Sequence, residues 1–361
     1  MKKLKRIVSS LVFTLLTAPI FAQSDGGKAA HDAGKACFQK EDYVNAIKHF
    51  TDAVEQGNVE SMNELGRIYF TGGHGIERNI PLSISWLEKA VRNGLTSAIN
   101  DIRTIGLLYM TGQYGFSKDD KQAALLLQKA YDLGDKKDAA FFLGQRYFSG
   151  TGAEQNYQKA YELFKEASEN GEPSAQTYLA LMYQQGIYVP ENLDEAIKWY
   201  TKAAEQDAAV AQNNLGVIYL DLKQDPSKAF YWFKKAAELG HVNAQTSLGE
   251  CYAKGWGTDI DEAQAVIWYT KAAQNGDSKA QNNLGALYHL GIGVDPDETQ
   301  AFFWIKKAAE GGDISAQFNL GYYYESGTGT EKNMEEAISW YKKAAQQGDE
   351  DAKKRLQALG L

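Results

Sequence analysis

A block of about 36 residues recurs from residue 58 to residue 348, each copy reading Ala-(Gln)-x-x-Leu-Gly-x-x-Tyr, then Gly-x-Gly, then Ala-x-x-Trp-x-x-x-Ala-Ala, then Gly. One copy runs Ala316, Gln317, Leu320, Gly321, Tyr324, Gly327, Gly329, Ala337, Trp340, Ala344, Ala345, Gly348. Fixed-period self-similarity at this length is the signature of a helical solenoid. Apolar and small residues recur at three- and four-residue spacing on either side of a Gly-containing break, so each copy predicts two antiparallel helices. A single pair has too little core to stand alone, which makes stacking obligatory. The expected fold is all-α: a right-handed α-solenoid of stacked antiparallel helix pairs.

Eight units end at Gly94, Gly134, Gly171, Asp207, Gly240, Gly276, Gly312 and Gly348, so residues 58–348 read as eight repeats. Residues 23–57 read as an atypical N-terminal capping pair built on Gly34, Phe38, Tyr43, Ala46, Phe50 and Ala53. Residues 349–361, with Ala352 and Leu356 among charges, read as a C-terminal capping helix. Within a repeat the Ala and Gly positions permit close helix approach while Tyr and Trp fill the space, a Trp of ~200 Å² contributing several kcal/mol before entropy is subtracted. Two units depart from the period. Ala98 lies seven residues before Ile105 with Asp101 at the usual Ala position, which predicts a lengthened helix; Tyr219 to Trp232 lacks three residues and the Gly-x-Gly, with Pro226 starting the next helix.

The N-terminus stands apart. Lys2, Lys3, Lys5 and Arg6 precede an uncharged apolar stretch from Ile7 to Ile20, and Phe21-Ala22-Gln23 offers a cleavage point. Residues 1–22 resemble a secretory signal peptide, too short to span a bilayer comfortably, and their removal leaves no expected transmembrane span. That places the protein in the periplasm or outside the cell. The leader carries four positive charges and no acids, so the formal charge moves from -8 to -12 without it, a poor balance for nucleic-acid binding. Cys37 and Cys251 are the only cysteines, about six repeats apart, and read as two small buried hydrophobes.

The Ala-Gln-Asn-Asn-Leu-Gly strings at 211–216 and 280–285, with Tyr-x-x-Gly and Ala-x-x-Trp-x-x-x-Ala-Ala, resemble the Sel-one-like repeat family, a branch of the tetratricopeptide superfamily. The resemblance covers nearly all of the chain after residue 22. It implies an adaptor in protein complexes, and for exported bacterial members a link to the cell envelope or to host interaction. One disulfide-rich subgroup is linked to penicillin binding and β-lactam hydrolysis; its hallmark is a Cys pair in each repeat, which this chain lacks.

The residues give little catalytic chemistry. His31, His49, His74, His241 and His289 fall in different repeats without metal-ligand spacing, so no metal or cofactor is expected. The pairs Gly150/Gly152, Gly255/Gly257, Gly291/Gly293 and Gly327/Gly329 follow helices rather than strands and read as left-handed turns, not phosphate cradles. Ser339-x-x-Lys342 matches the nucleophile motif of penicillin-recognising enzymes without any partner motif.

What remains is surface. Reading offsets from the Leu of Leu-Gly, the first helices are expected to line a concave groove with Asn63, Arg67, Phe70, Arg103, Met110, Phe141, Gln145, Phe148, Leu181, Asn213, Asn282, His289, Phe318 and Tyr322. The plainer reading packs them on the next repeat. Asn214, Asn283 and Asn319 share the position before Leu, where a carboxamide ladder fits the backbone of an extended peptide, or each amide satisfies a local turn. The expected function is a non-enzymatic, monomeric, exported scaffold that binds a protein or peptide; the rival is a protein that binds or hydrolyses cell-wall material.

Overall fold

The computed structural model describes residues 27–361, so the signal-peptide reading of 1–22 lies outside the described residues. These residues form α-helices throughout, with no β-structure among them beyond an isolated bridge between Gly73 and Ile76. They divide into two compact units, one of residues up to 182 plus 186–190, the other of 183–185 plus 191–361.

In the first unit α1 (Lys28–Gln39) pairs with α2 (Tyr43–Glu55), α3 (Val59–Thr71) with α4 (Ile80–Arg92), α5 (Ala98–Thr111) with α6 (Asp120–Asp132), and α7 (Asp138–Ser149) with α8 (Tyr157–Glu169). Then comes α9 (Pro173–Gln185), whose last three residues belong to the second unit. That unit continues with α10 (Leu193–Ala204), followed by the pairs α11 (Ala209–Val217) with α12 (Pro226–Glu238), α13 (Val242–Lys254) with α14 (Glu262–Gln274), α15 (Ser278–Leu290) with α16 (Glu298–Glu310), and α17 (Ile314–Ser326) with α18 (Met334–Gln346). Helix α19 (Glu350–Ala358) packs on α18. Odd-numbered helices are the first of each pair, even-numbered ones the second.

Each second helix starts where an Asp or Asn supplies an acceptor to the first turn. Asp42, Asn79, Asp119, Asn156, Asn192, Asp225, Asp261, Asp297 and Asn333 are these caps. The same residue closes the loop behind it, because its own N–H donates to the carbonyl of the repeat Tyr, as Asn333 does to Tyr324 at 2.8 Å and Asp297 to Tyr288 at 3.0 Å. The repeat Gln ties one pair to the next. Gln281 Nε2 donates to the Ala273 carbonyl at 2.9 Å and Gln212 Nε2 to Ala204 at 3.0 Å, so a buried amide satisfies a carbonyl at the end of the preceding second helix.

The core is arranged differently from the expectation that Trp fills it. The most deeply buried large side chain is the one after Trp: Tyr200, Phe233 and Tyr341 are at most 1 % exposed. It lies against the Gly of Leu-Gly, where a Cβ on Gly216 would come within 2.5 Å of Phe233 and one on Gly321 within 2.6 Å of Tyr341. The Trp itself sits at the margin with a lysine on its face, Lys343 at 3.6 Å from the Trp340 ring centre. A residue one step round the helix from Trp points 100° away, and it is this direction that meets the first helix.

The irregular units resolve locally. Helix α5 gains one residue over its 13-residue neighbours, and the turn at 94–97 takes the rest of the insertion. Where three loop residues are missing, α11 runs into a π-turn, Ile218–Leu222, before the Asp225 cap.

Candidate interaction surface

The first-helix residues of the first unit are largely consumed by the fold. Asn63 is buried and hydrogen-bonds Asp101, whose carboxylate also accepts from Arg67 Nε at 2.9 Å. Burial pushes the carboxyls of Asp101 and Glu64 above their usual range, and Arg67 opposes the shift at both. Arg103, buried, pairs with Asp135 and with Asp138. Phe70 stacks on Phe116 with ring centres 5.8 Å apart. Phe141, 7 % exposed, and Phe148 both join the cluster of Phe164 and Tyr178, and Gln145 donates to the Tyr178 hydroxyl at 3.2 Å. Met110 and Leu181 are half-buried. The expected accessibility of Asn63, Arg103 and Phe141 is therefore corrected: each packs on the next repeat, where the stacking of first helices leaves no room for a ligand.

The amide ladder is also internal. Asn214 hydrogen-bonds the Tyr200 hydroxyl and Asn283 that of Tyr269. Burial pushes the Tyr200 hydroxyl up to about 12, so it stays a neutral donor and gives its proton to Gln184 Oε1 at 2.9 Å. Asn319 Nδ2 donates to Asn282 Oδ1 in the preceding repeat at 3.1 Å. Asn213 is half-buried, its Oδ1 without a partner among the described residues.

Accessible side chains gather on the first-helix face of the second unit. Two residues beyond Leu stand Val217, Glu250, Ala286 and Tyr322, with Tyr322 51 % and Val217 38 % exposed. Charges on this face are already paired: Glu250 with Lys279 at 2.7 Å, His289 with Glu298 at 2.8 Å, and Glu325 with Arg355. Phe318, half-buried, leans on Tyr341 with ring centres 5.5 Å apart. What this face offers a ligand is uncharged: aromatic, aliphatic and amide.

Sequence reasoning missed a second exposed row. The residue before Trp in three successive repeats, Tyr231, Ile267 and Phe303, points outward from the second helices. The signal was present as an apolar residue beside each Trp, but two adjacent apolar positions on one helix do not say which faces in.

Other candidate chemistry is dispersed. Ser339 and Lys342 are both exposed on α18. Among the described residues no group of three or more His, Cys, Asp or Glu side chains is placed to hold a metal ion. Cys37 is half-buried and Cys251 buried, both as free thiols, and burial pushes the Cys251 thiol up to about 12. No helix among the described residues is long and apolar enough to cross a membrane.

The second glycines of the loops are spacers. At Gly257, Gly293 and Gly329 an added Cβ would overlap a backbone carbonyl at the start of the preceding second helix, Pro226, Glu262 and Glu298 respectively. The Sel1 repeat family model matches residues 26–58, 59–95, 105–135, 137–172, 173–207, 209–241, 242–277, 278–313 and 314–349. The chain belongs to the Sel1 repeat family. Nine matched segments include the first pair, α1 and α2, and omit 96–104, where the insertion falls.

Sel1 repeat proteins are in general scaffolds for protein–protein interaction. A crystal structure of a protective antigen of uropathogenic Escherichia coli with an SLR fold is 29% identical, with a TM-score of 0.76, covering 92% of this chain and 72% of that one. A Sel1 repeat protein from Oxalobacter formigenes is 32% identical with a TM-score of 0.59, covering 68% of this chain and 96% of that one. Two fungal proteins match over shorter stretches. The ERAD-associated E3 ubiquitin-protein ligase component HRD3 of Candida glabrata is 34% identical over 31% of this chain and 13% of its own length. The chitin synthase regulator SKT5 of Saccharomyces cerevisiae is 34% identical over 36% of this chain and 18% of its own length.

Proposed function

We propose that this Sel1 repeat protein is an exported, non-enzymatic scaffold whose first-helix face in the second unit binds an uncharged or apolar segment of a protein partner. The observation that carries the reading is Tyr322, 51 % exposed on a face whose acids are already paired within the chain. A half-exposed aromatic among neutralised charges gains contact area on binding at little desolvation cost. Export rests on the basic-then-apolar pattern of residues 1–22, and predicts a mature chain beginning at Gln23, located in the periplasm or the medium and read by N-terminal sequencing.

Binding is tested by comparing the proteins captured from an envelope extract by the full chain and by a Tyr322→Ala, Val217→Ser variant. Capture should fall about fivefold or more, with helicity unchanged by circular dichroism. Equal capture by both would remove the first-helix face from consideration. The same preparation is assayed with a chromogenic β-lactam, and turnover that disappears in Ser339→Ala would replace the scaffold reading with a hydrolytic one.

A further inference from the structure

Beyond that reading, we infer that the second-helix face of the second unit is a separate docking surface for an acidic amphipathic helix of a protein partner. Three successive repeats present the same pair of side chains there. Tyr231, Ile267 and Phe303 are 51 %, 44 % and 43 % exposed. One helical turn further on, each is followed by an exposed lysine: Lys235, Lys271 and Lys307.

These lysines carry uncompensated charge on a chain whose formal charge is -8. Lysines elsewhere in the unit find carboxylates, as Lys198 does at Glu195, Lys228 at Asp225 and Lys279 at Glu250. Lys235, Lys271 and Lys307 form no ion pair among the described residues and lie over rings instead: Lys235 5.9 Å from Tyr231, Lys271 3.7 Å from Trp268, Lys307 4.7 Å from Phe303. A ring quadrupole holds an ammonium without neutralising it. The side chain is thereby ordered before a partner arrives, which lowers the entropic cost of binding.

The spacing selects the partner. Trp268 packs on the core shared by α12 and α13, and Trp304 lies in the core of α14 and α15, so successive second helices are neighbours. Packed helices stand ~8–10 Å apart, and seven residues of an α-helix rise about 10.5 Å. A helix crossing the three repeats therefore sets one apolar side chain per heptad on Tyr231, Ile267 and Phe303, with its acidic flank along the lysines. The cationic strip is narrow: Glu238 and Glu310, three residues beyond Lys235 and Lys307, are exposed on the same side. A strip bounded by acids suits a helix and repels an extended anionic bilayer.

The test uses the full chain and a fluorescent helical peptide of about three heptads, with Leu at every seventh position, Glu along one flank and Ala and Gln elsewhere, followed by anisotropy. Binding is expected at about 50 mM salt and should weaken at least about fivefold at about 500 mM. Lys235→Glu, Lys271→Glu and Lys307→Glu together should weaken it about tenfold or more, and Tyr231→Ala with Phe303→Ala about threefold or more. Tyr322→Ala should leave it unchanged, which separates this surface from the first-helix face. No binding, equal binding of a peptide with Lys in place of Glu, indifference to the lysine substitutions, or competition by vesicles of phosphatidylcholine and phosphatidylglycerol in equal parts would each overturn the inference.

Discussion

Single residues in this fold are constrained by how near the next backbone comes. Gly329 combines a left-handed φ of 64° with a Cβ position overlapping the Glu298 carbonyl, whereas Gly312, at φ 92°, has nothing within 4 Å. Both substitutions to Ala carry the left-handed penalty of about 1–2 kcal/mol, and only Gly329→Ala adds the ~1–3 kcal/mol of overpacking. Urea denaturation should therefore rank Gly329→Ala well below Gly312→Ala; equal midpoints would mean the loop moves away freely. A second residue-scale outcome concerns pH. Glu64 has its carboxyl raised by burial, so it binds a proton in the fold more readily than in the unfolded chain, where its value is about 4.3. Its stabilising contribution is complete below that value and is lost as pH rises through the folded value. Glu64→Gln should accordingly gain thermal stability over the parent at pH 7, with the difference shrinking toward pH 4. A constant difference across that range would show that Glu64 ionises without penalty.

At the scale of elements, the repeat letters specify joints as much as helices. Gln281 spans from α15 back to the Ala273 carbonyl, and Asn333 both caps α18 and closes the loop from Tyr324. Removing the cap with Asn333→Ala should cost about 1 kcal/mol. Gln281→Leu should cost more, about 1–3 kcal/mol, because it strands a buried carbonyl. Amide exchange at the end of α14 is where that loss should appear. Helix pairing was legible in the sequence because Ala, Gly and aromatic positions recur at helical spacing, and the loop glycines were legible as turns. The burial of the residue after Trp was not, since Trp and its neighbour are both large and apolar and only the position of the facing Gly321 or Gly216 distinguishes them. The candidate surface was the least legible. Arg103 and Phe141 have the composition of a binding face, yet Asp135, Asp138, Phe164 and Tyr178, which occupy them, come from adjacent segments whose register depends on stacking.

For the molecule as a whole, stability is a chain of neighbour contacts. In each unit the extensively packed helices are those adjacent in sequence, so no element ties distant repeats together. In such an array the free energy is approximately a sum of repeat and nearest-neighbour terms, and damage stays local. Helix α19 tests this. With Ala352 and Leu356 it covers Ala337, Tyr341 and Ala344 of α18, and its Arg355 pairs with Glu325 of α17. A chain ending at Gly348 would leave that apolar surface in water, an open face of the kind that drives association. It should self-associate in size-exclusion light scattering under conditions where the full chain does not. Amides of α17 and α18 should exchange about tenfold faster or more while those of α12 keep their protection, because local opening costs less free energy than global unfolding. Uniform acceleration through α12 would mean that the unit unfolds as one block, and unchanged exchange in α18 would mean that α19 contributes nothing to the pair it covers.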